Sequence, residues 1–229
     1  MKKIGIIFAM EEELKELLNL VKLEKKEKKY DIDFYYTKLG KKELILVQSG
    51  IGKVNAARAT QMLIDLINPD YIFNIGVAGS LSDKLNIGDI VIGEKLVQHD
   101  FNLVGFGRER GFITNVGDKY IKCSKELVDI AAKTKIEGII HKGIIASGDI
   151  FVTDHKMSKK ISDTFNALCV EMEGAAIAQV CYLSKVPFIV IRSISDSPDG
   201  SDNKMTFDEF LKYSSKKVAT YLKEIINNL

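Results

Sequence analysis

Apolar, strand-like runs alternate with helical patterns along the whole chain, and this alternation limits the possible folds more than any other feature. The strand-like runs are KIGIIFA, ELILVQ, DYIFNIG, DIVIGEKLV, GIIHKGIIASG, LCVE and PFIVIRSIS. Helical patterns run from about residue 10, over 52–67, over about 118–134, near 155–165, over 174–183 and from about 206. Strands that are apolar on both faces are typical of parallel sheets covered by helices. The sequence predicts an α/β fold, a three-layer αβα sandwich with a central, largely parallel mixed sheet.

The chain shows no repeat and no linker, so residues 1–229 are predicted to form a single domain. The net charge is +2, with acids and bases mixed throughout, which argues against a nucleic-acid partner or an anionic membrane surface. No window approaches the roughly 18 apolar residues of a membrane span. The lysine-rich run KLEKKEKK at 22–29 is interrupted by glutamates and is predicted to be a solvated helix end or loop.

Cysteine and histidine spacing gives no sign of a disulfide framework, a metal site or another cofactor. The three cysteines are scattered, odd in number and without CxxC spacing: Cys123, Cys169 and Cys181. The three histidines show no ligand spacing either: His99, His141 and His155. These features favour a soluble protein in a reducing, cytoplasmic setting.

Two carboxylates stand inside the small and apolar stretch ALCVEMEGAAIAQV at 167–180. Glu173 lies where a strand meets an apolar helix, and free N–H groups at such a junction hold a carboxylate ionised. An ionised carboxylate is a double acceptor suited to sugar hydroxyls. Glu171, two residues earlier, is expected to face the same side.

Two further acids are placed unusually. Glu13 falls at the edge of the buried stripe of the first helix, where it could serve either the helix dipole or a function. Arg192 and Asp196 share one face of the most apolar strand, and either a structural ion pair or a catalytic acid would explain them. Because ligands of α/β sheets bind beyond the carboxyl ends of strands, these acids together indicate an acid–base site.

Two glycine-rich stretches imitate phosphate-binding motifs without matching them. SGIGKVN at 49–55 lacks the Ser or Thr that follows GK in a P-loop, and NIGVAGS at 74–80 is not GxGxxG. Both are predicted to be places where backbone approaches a small ligand closely, with Gly79 in the second. The irregular stretch at 99–118 is either a flexible loop or a lid or subunit contact. The last helix begins with a predicted capping box, Thr206 with Glu209.

Seven ordered blocks span nearly the whole chain: IGIIFAMEEE, SGIGKVNAA, NIGVAGSL, SGDIFV, VEMEGAAIA, IRSISD and TFDEF. Together they resemble the bacterial 5′-methylthioadenosine/S-adenosylhomocysteine nucleosidases, which share the purine nucleoside phosphorylase/uridine phosphorylase fold. The resemblance implies a nucleoside phosphorylase-like sheet and a homodimer. It also implies hydrolysis of the N-glycosidic bond of a small nucleoside, without a cofactor, to adenine and a 5-thio-substituted ribose.

The resemblance also implies roles for individual residues. Glu13 would be the base for water, and Asp196 the general acid to adenine N7, supported by Arg192 and Ser195. Met172 and Glu173 would hold the ribose hydroxyls, with Glu171 as a structural neighbour or second acceptor. The remaining substrate contacts would be Phe151 stacked on the base, the backbone of Val152 at its edge, Met10, Ile51 and Phe207 around the 5′-thio group, and Leu103 and Phe106 from a partner subunit.

Three alternatives stay open beside this interpretation. A phosphorylase would need an anion site, yet the N-terminal loop offers MEEE, and Asn74 stands where a hexameric purine phosphorylase would carry arginine. A nucleoside-binding module would have no use for Glu13 together with Asp196. The fold also hosts aminofutalosine-type substrates. One departure from the family is Val77, where relatives often carry a small hydroxyl residue, so a hydrogen bond to the nucleophilic water or to a nearby carboxylate is expected to be missing.

Overall fold

The structure is a computed structural model that describes residues 2–196 and 207–229. Its helices are α1 (Glu11–Leu18), α2 (Lys53–Ile67), α3 (Lys125–Lys133), α4 (His155–Phe165), α5 (Gly174–Leu183) and α6 (Phe207–Asn228). Its strands are β1 (Lys3–Phe8), β2 (Leu23–Lys29), β3 (Ile32–Leu39), β4 (Lys42–Gln48), β5 (Tyr71–Ser80), β6 (Ile90–Gln98), β7 (Ile121–Lys122), β8 (Ile140–Ser147), β9 (Ala167–Glu171) and β10 (Phe188–Asp196). Within these ranges, no helix is long and apolar enough to cross a membrane.

The strands form one mixed sheet in the order β10-β6-β8-β9-β5-β1-β4-β3-β2, with β7 beside β6. Parallel pairs join β1 to β4 and β5, β8 to β6 and β9, and β10 to β5. Antiparallel pairs join β3 to β2 and β4, β6 to β7 and β10, and β5 to β9. The predicted α/β fold with a mixed central sheet is confirmed.

Helices cover the sheet because its central strands are apolar on both faces. In β10, every residue from Phe188 to Ser195 is buried, and β1 is buried from Ile4 to Phe8. Helix α1 packs against α6, and α2 packs against α5, so the sheet lies between two helical layers. The pairing of β10 with β5 is important for the site, since it brings the carboxyl ends of these two strands together.

The charged run at 22–29 is a strand, so its prediction as a helix end or loop was wrong. Strand β2 is the edge of the sheet and pairs with β3, which begins after a turn at Tyr30. The Lys25 and Lys26 ammonium groups lie over the Tyr36 and Tyr35 rings. A lysine-rich edge strand resists pairing with other chains, which explains its composition.

The start of one other helix differs from its prediction, and the predicted cap of the last helix is not described. The helix expected over about 118–134 begins only at Lys125, because strand β7 occupies part of the preceding segment. The capping box depends on Thr206, which lies outside the described residues. Helix α6 begins at Phe207, whose side chain is likewise outside what the structure describes.

Candidate active site

One pocket lies at the carboxyl ends of the strands, where β1, β5, β8, β9 and β10 pass into the loops or helices that follow them. Many of the residues predicted for the site line it: Met10, Glu13, Ile51, Gly79, Phe151, Val152, Glu171, Met172, Glu173, Ser195 and Asp196. Its other lining residues are Ala9, Val77, Ala78, Ile150 and Val170. The wall is therefore largely apolar, with carboxylates from several different elements.

Glu13 is buried in the first turn of α1 and is held by three backbone N–H groups. Its Oε2 accepts hydrogen bonds from the N–H groups of Ala9, at 3.1 Å, and Met10, at 3.0 Å. Its Oε1 accepts one from the N–H of Val77 at 3.1 Å. Burial raises the pKa of Glu13 above its ordinary value, although the Arg192 charge and these N–H groups oppose the rise. The Val77 main chain thus supplies a hydrogen bond to this carboxylate, although its side chain carries no hydroxyl.

Glu171, which lines the pocket, forms a buried ion pair with Arg192, which lies behind the pocket wall. The Arg192 guanidinium donates to Glu171 Oε2 and to Asn74 Oδ1. The same Glu171 oxygen accepts from the N–H groups of Glu173, at 3.1 Å, and Gly174, at 2.8 Å, while Ser147 Oγ donates to the other oxygen. Glu171 therefore accepts hydrogen bonds from the N–H groups at the start of α5, which were predicted from the sequence to bind Glu173, and also binds Arg192.

Glu173 lies at the N-terminus of α5 and lines the pocket. Its Oε1 accepts a hydrogen bond from the Gly52 N–H at 2.9 Å. Burial and the charge of Glu171 raise its pKa to about 7, against the opposing charge of Arg192 and the Gly52 hydrogen bond. Near neutral pH this carboxyl is therefore partly protonated, so its ability to accept hydrogen bonds changes with pH.

Asp196 ends β10 at a β-bulge and lies opposite Gly79 of β5. Ser195 Oγ donates a hydrogen bond to Asp196 Oδ1 at 2.8 Å. A Cβ added at Gly79 would lie 2.8 Å from Asp196 Oδ2, so only glycine leaves this carboxyl its space. Gly76 plays the same part for Glu13, because a Cβ there would lie 2.6 Å from Glu13 Oε1.

The predicted apolar contacts lie at the mouth of the pocket or away from it. Ile51 and Phe151 are 53% and 64% exposed at the mouth. Leu103 and Phe106 do not line the pocket of their own chain, and Phe106, at the end of a single 3₁₀ turn, is 84% exposed. The structure thus brings the carboxylates together with Phe151 and Val152, which were predicted to contact adenine. It leaves Leu103 and Phe106 outside the pocket of their own chain.

The sequence did not predict the hydrogen bonds by which several polar residues support the site. Asn74, Ser147, Lys53, Asp100 and Asp149 each bond to a site residue or to a loop that carries one. The Gly52-Lys53 pair in SGIGKVN did attract notice, but only as an imperfect phosphate loop. Its lysine ammonium instead donates to Asp100 and Gln98.

Comparison with known proteins identifies the family. The family model described as Phosphorylase superfamily matches residues 3–227. The 5′-methylthioadenosine/S-adenosylhomocysteine nucleosidase of Psychromonas ingrahamii is 41% identical over 234 residues, which cover 99% of each chain. The chain belongs to the 5′-methylthioadenosine/S-adenosylhomocysteine nucleosidase family.

Solved structures of the family agree over the whole length. A Helicobacter pylori 5′-methylthioadenosine/S-adenosylhomocysteine nucleosidase superposes with a TM-score of 0.94 at 37% identity, covering 100% of this chain and 99% of that one. A futalosine hydrolase of Helicobacter pylori strain 26695 superposes with a TM-score of 0.93 at 36% identity, covering 100% and 98%. Family membership therefore establishes the nucleosidase fold. The two solved structures are almost equally similar to this chain, but they are named for different substrates.

Proposed function

We propose that the protein hydrolyses the N-glycosidic bond of 5′-methylthioadenosine and S-adenosylhomocysteine, releasing adenine and the 5-thio-substituted ribose. The observation that carries the proposal is one apolar pocket in which Glu13, Glu173 and Asp196 meet from three separate elements. An aromatic side chain, Phe151, lies at its mouth. This combination suits a nucleoside with a flat base, a hydroxylated sugar and an apolar 5′ substituent.

Asp196 acts as the general acid in this proposal. It donates a proton to N7 of adenine as the bond between C1′ and N9 breaks, so that the electron pair leaves with a neutral base. Ser195 holds one oxygen of this carboxyl, and the missing Cβ of Gly79 leaves room for the other. The chemistry requires Asp196 to be protonated when it acts.

Glu13 acts as the base for the attacking water. The departing base leaves an oxocarbenium-like ribosyl group, and water adds to C1′ while Glu13 accepts its proton. Burial makes the Glu13 carboxylate more basic than an exposed one, because its pKa is raised. The buried Arg192 charge opposes that rise, which keeps the ionised form accessible.

Glu173 and Met172 bind the ribose. The ionised Glu173 carboxylate can accept both sugar hydroxyls, and its charge stabilises the positive charge that develops on the ring. Glu171 and Arg192 support it, since Glu171 accepts a hydrogen bond from the N–H of Glu173 and binds Arg192. We assign these two residues to positioning rather than to direct chemistry.

The other substrate contacts follow the apolar wall. Phe151 stacks on adenine, the backbone of Val152 meets the base edge, and Met10 and Ile51 surround the 5′-thio group with Phe207. Leu103 and Phe106 complete the thio pocket from a second subunit, so the protein works as a homodimer. The exposure of Phe106, Ile51 and Phe151 supports this, because a second copy would bury these apolar surfaces.

Hydrolysis is favoured over phosphorolysis by charge. None of the described residues that line the pocket is a lysine or arginine. Arg192, which lies behind the wall, is already engaged by Glu171 and Asn74. A phosphate dianion placed beside the ionised Glu13 and Glu173 carboxylates would be repelled, whereas water would not.

A second candidate substrate is an aminofutalosine-type nucleoside. The likeness to a Helicobacter pylori futalosine hydrolase favours it, and the bond broken would be of the same kind. The two candidates are separated by comparing kcat/KM for 5′-methylthioadenosine and for the aminofutalosine-type nucleoside in one preparation.

The setting that we propose is cytoplasmic salvage and detoxification of thio-nucleosides. Cys123, Cys169 and Cys181 are free and buried, as expected in a reducing compartment.

The catalytic assignment is tested with Glu13→Gln and Asp196→Asn. Each change keeps the shape of the side chain but removes the base or the acid, and each should lower kcat for adenine release by about 10² to 10⁴. Glu12→Gln is the matched control, because Glu12 is the exposed neighbour in the same turn of α1. Wild-type turnover in both the Glu13 and Asp196 variants would refute these roles.

A further inference from the structure

Helix α2 has no cap of its own, and its first N–H groups bond to carboxylates from two distant segments. The residue at its N-cap is Gly52, with φ of +98°, which has no side chain to accept a hydrogen bond. The Gly52 N–H donates to Glu173 Oε1 at 2.9 Å, and the Lys53 N–H donates to Asp149 Oδ1 at 2.7 Å. Carboxylates at a helix N-terminus are favourable, because they meet free donors and the positive end of the helix dipole. One helix end therefore joins the proposed ribose carboxylate to the loop that carries the proposed base-stacking residue.

Lys53, Asp100 and Asp149 form a ring of hydrogen bonds at this helix end. Lys53 Nζ donates to Asp100 Oδ1 at 2.7 Å, and the Asp149 N–H donates to Asp100 Oδ2 at 2.9 Å. Together with the bond from the Lys53 N–H to Asp149, each member of the ring contacts both of the others. The ring ties the first residue of α2 to the two loops that follow β6 and β8.

The ion pair in this ring is better protected than most pairs on the molecule. The side chains of Lys53 and Asp100 are only 17% and 19% exposed. Burial by itself raises the pKa of Asp100, but the Lys53 hydrogen bond and the Asp149 N–H outweigh it and hold that pKa below its ordinary value. Lys53 Nζ also donates to Gln98 Oε1 at 3.1 Å. The ammonium is thus already engaged by these acceptors, which argues against a phosphate-binding role for SGIGKVN.

We propose that the Lys53–Asp100–Asp149 ring is a positioning device that fixes the distance between the ribose site and the base site. Lys53 is one residue from Gly52, which binds the Glu173 carboxylate, and Asp149 is two residues before Phe151. The inference rests on the proposed nucleosidase function, and none of the three residues lines the pocket.

A fixed distance matters only for a ligand that occupies both sites at once. When adenine and the sugar are joined, binding at one site presents the other part at high effective concentration, provided that the geometry matches. A loosened ring would therefore weaken nucleoside recognition and the alignment of the scissile bond. It would leave the separate affinities for adenine and for methylthioribose almost unchanged.

The test replaces Lys53 by Met, which keeps an unbranched apolar side chain but removes the ammonium. Lys125→Met is the matched control, because Lys125 is also the first residue of a helix and also pairs with an aspartate, Asp129, at 2.6 Å. Lys53→Arg restores a cation and should restore most of the lost activity. Asp100→Asn weakens the same ring from the other side and decides the question if Lys53→Met does not fold.

The measurements are kcat/KM for 5′-methylthioadenosine and the dissociation constants of adenine and of methylthioribose, each taken alone. We expect Lys53→Met to lower kcat/KM by about tenfold or more, while each separate affinity changes by less than about threefold. Lys125→Met should match the wild type.

Two results would overturn the inference: a kcat/KM within about twofold of the wild type, or a loss of adenine or methylthioribose affinity as large as the loss for the nucleoside. Failure of the proposed function is recognised separately. A wild-type chain that releases no adenine would overturn the function and this inference with it, whereas an active wild type with an unaffected ring variant would overturn the inference alone.

Discussion

Glu173 is the residue at which binding and stability oppose each other. The proposed ribose site needs an ionised acceptor, yet burial and the neighbouring Glu171 raise the Glu173 pKa to about 7. A buried acid with a raised pKa destabilises the folded state once it ionises, since the unfolded chain ionises at its ordinary value of 4.5. Its contribution to stability is therefore complete below about pH 4.5 and is lost as the pH rises through about 7.

Glu173→Gln should separate these two effects. Gln cannot ionise, so the variant should be more stable than the wild type at pH 8, by on the order of 3 kcal/mol at about 1.4 kcal/mol per pKa unit. No such gain is expected near pH 4.5, where both side chains are neutral. The same variant should have lower kcat/KM for the nucleoside at pH 8, because a neutral amide is a weaker acceptor.

Denaturant unfolding at the two pH values measures the stability, with the exposed Glu12→Gln as the control. A variant that is less stable than the wild type at pH 8 would mean that the ionised Glu173 is favourable in the fold, contrary to this explanation.

Some residue roles could be predicted from the sequence and others could not. Glu13, Glu173 and Asp196 attracted notice because each carboxylate interrupts an apolar pattern, and all three line the pocket. The partner of Arg192 was not predictable, because Glu171 and Arg192 are 21 positions apart and meet only through the pairing of strands. The Lys53 ring was missed for the same reason, since its members come from the start of α2 and from two loops that only the folded chain brings together.

At the scale of elements, β5 contributes to the site mainly through two glycines, whose missing side chains leave space for carboxylates. Gly76 and Gly79 leave space for the Glu13 and Asp196 carboxylates, and the Val77 N–H between them donates to Glu13. The strand thus sets the positions of the proposed base and the proposed acid at once. This dual role explains the two glycines in a largely buried strand, where glycine usually weakens the structure.

Gly76→Ala should lower kcat far more than the control variant Gly143→Ala does, although both should lose a similar amount of stability. The new Cβ would lie 2.6 Å from Glu13 Oε1, so the carboxylate must move, and kcat should fall by about 10² or more. Gly143→Ala is the matched control, because its Cβ would lie equally close, at 2.6 Å, to Leu168 Cδ1 outside the pocket. Both variants should lose roughly 1–3 kcal/mol of stability from overpacking.

Steady-state kinetics and thermal melting of the two alanine variants distinguish these effects. Equal losses of kcat in both would show that the sheet, rather than the position of Glu13, limits activity.

Patterns of apolar residues predicted most elements but not the first hairpin. Helix α5 and strand β10 were evident because most of their residues are apolar or small. Strand β2 was missed because its side chains are mostly charged and exposed, so it shows no apolar alternation. Its stability comes from pairing with β3 and from lysines over tyrosine rings, neither of which leaves a periodic apolar signal.

At the scale of the whole molecule, the proposed homodimer explains apolar side chains that are exposed in the isolated chain. Phe106, Val104 and Val54 are 84%, 55% and 78% exposed in the isolated chain. If Phe106 reaches the neighbouring pocket, Phe106→Ser should lower kcat/KM. Tyr30→Ser should not, because Tyr30 is equally exposed, at 85%, but lies in the distant turn between β2 and β3.

Mixing two impaired variants provides the decisive form of this test. Phe106→Ser has an intact acid and base but lacks the contact that it gives to its partner, and Asp196→Asn has the contact but lacks the acid. A mixed dimer then contains one complete site, so the mixture should exceed the summed activities of the separate variants. Activity equal to that sum would contradict a shared site.

The central claim is hydrolysis rather than phosphorolysis. It is tested most directly by measuring adenine release from 5′-methylthioadenosine in phosphate-free buffer, with and without added phosphate, and identifying the sugar by mass. The acidic pocket predicts full turnover without phosphate, giving free methylthioribose. Turnover that depends on phosphate, with the sugar 1-phosphate as product, would contradict the account.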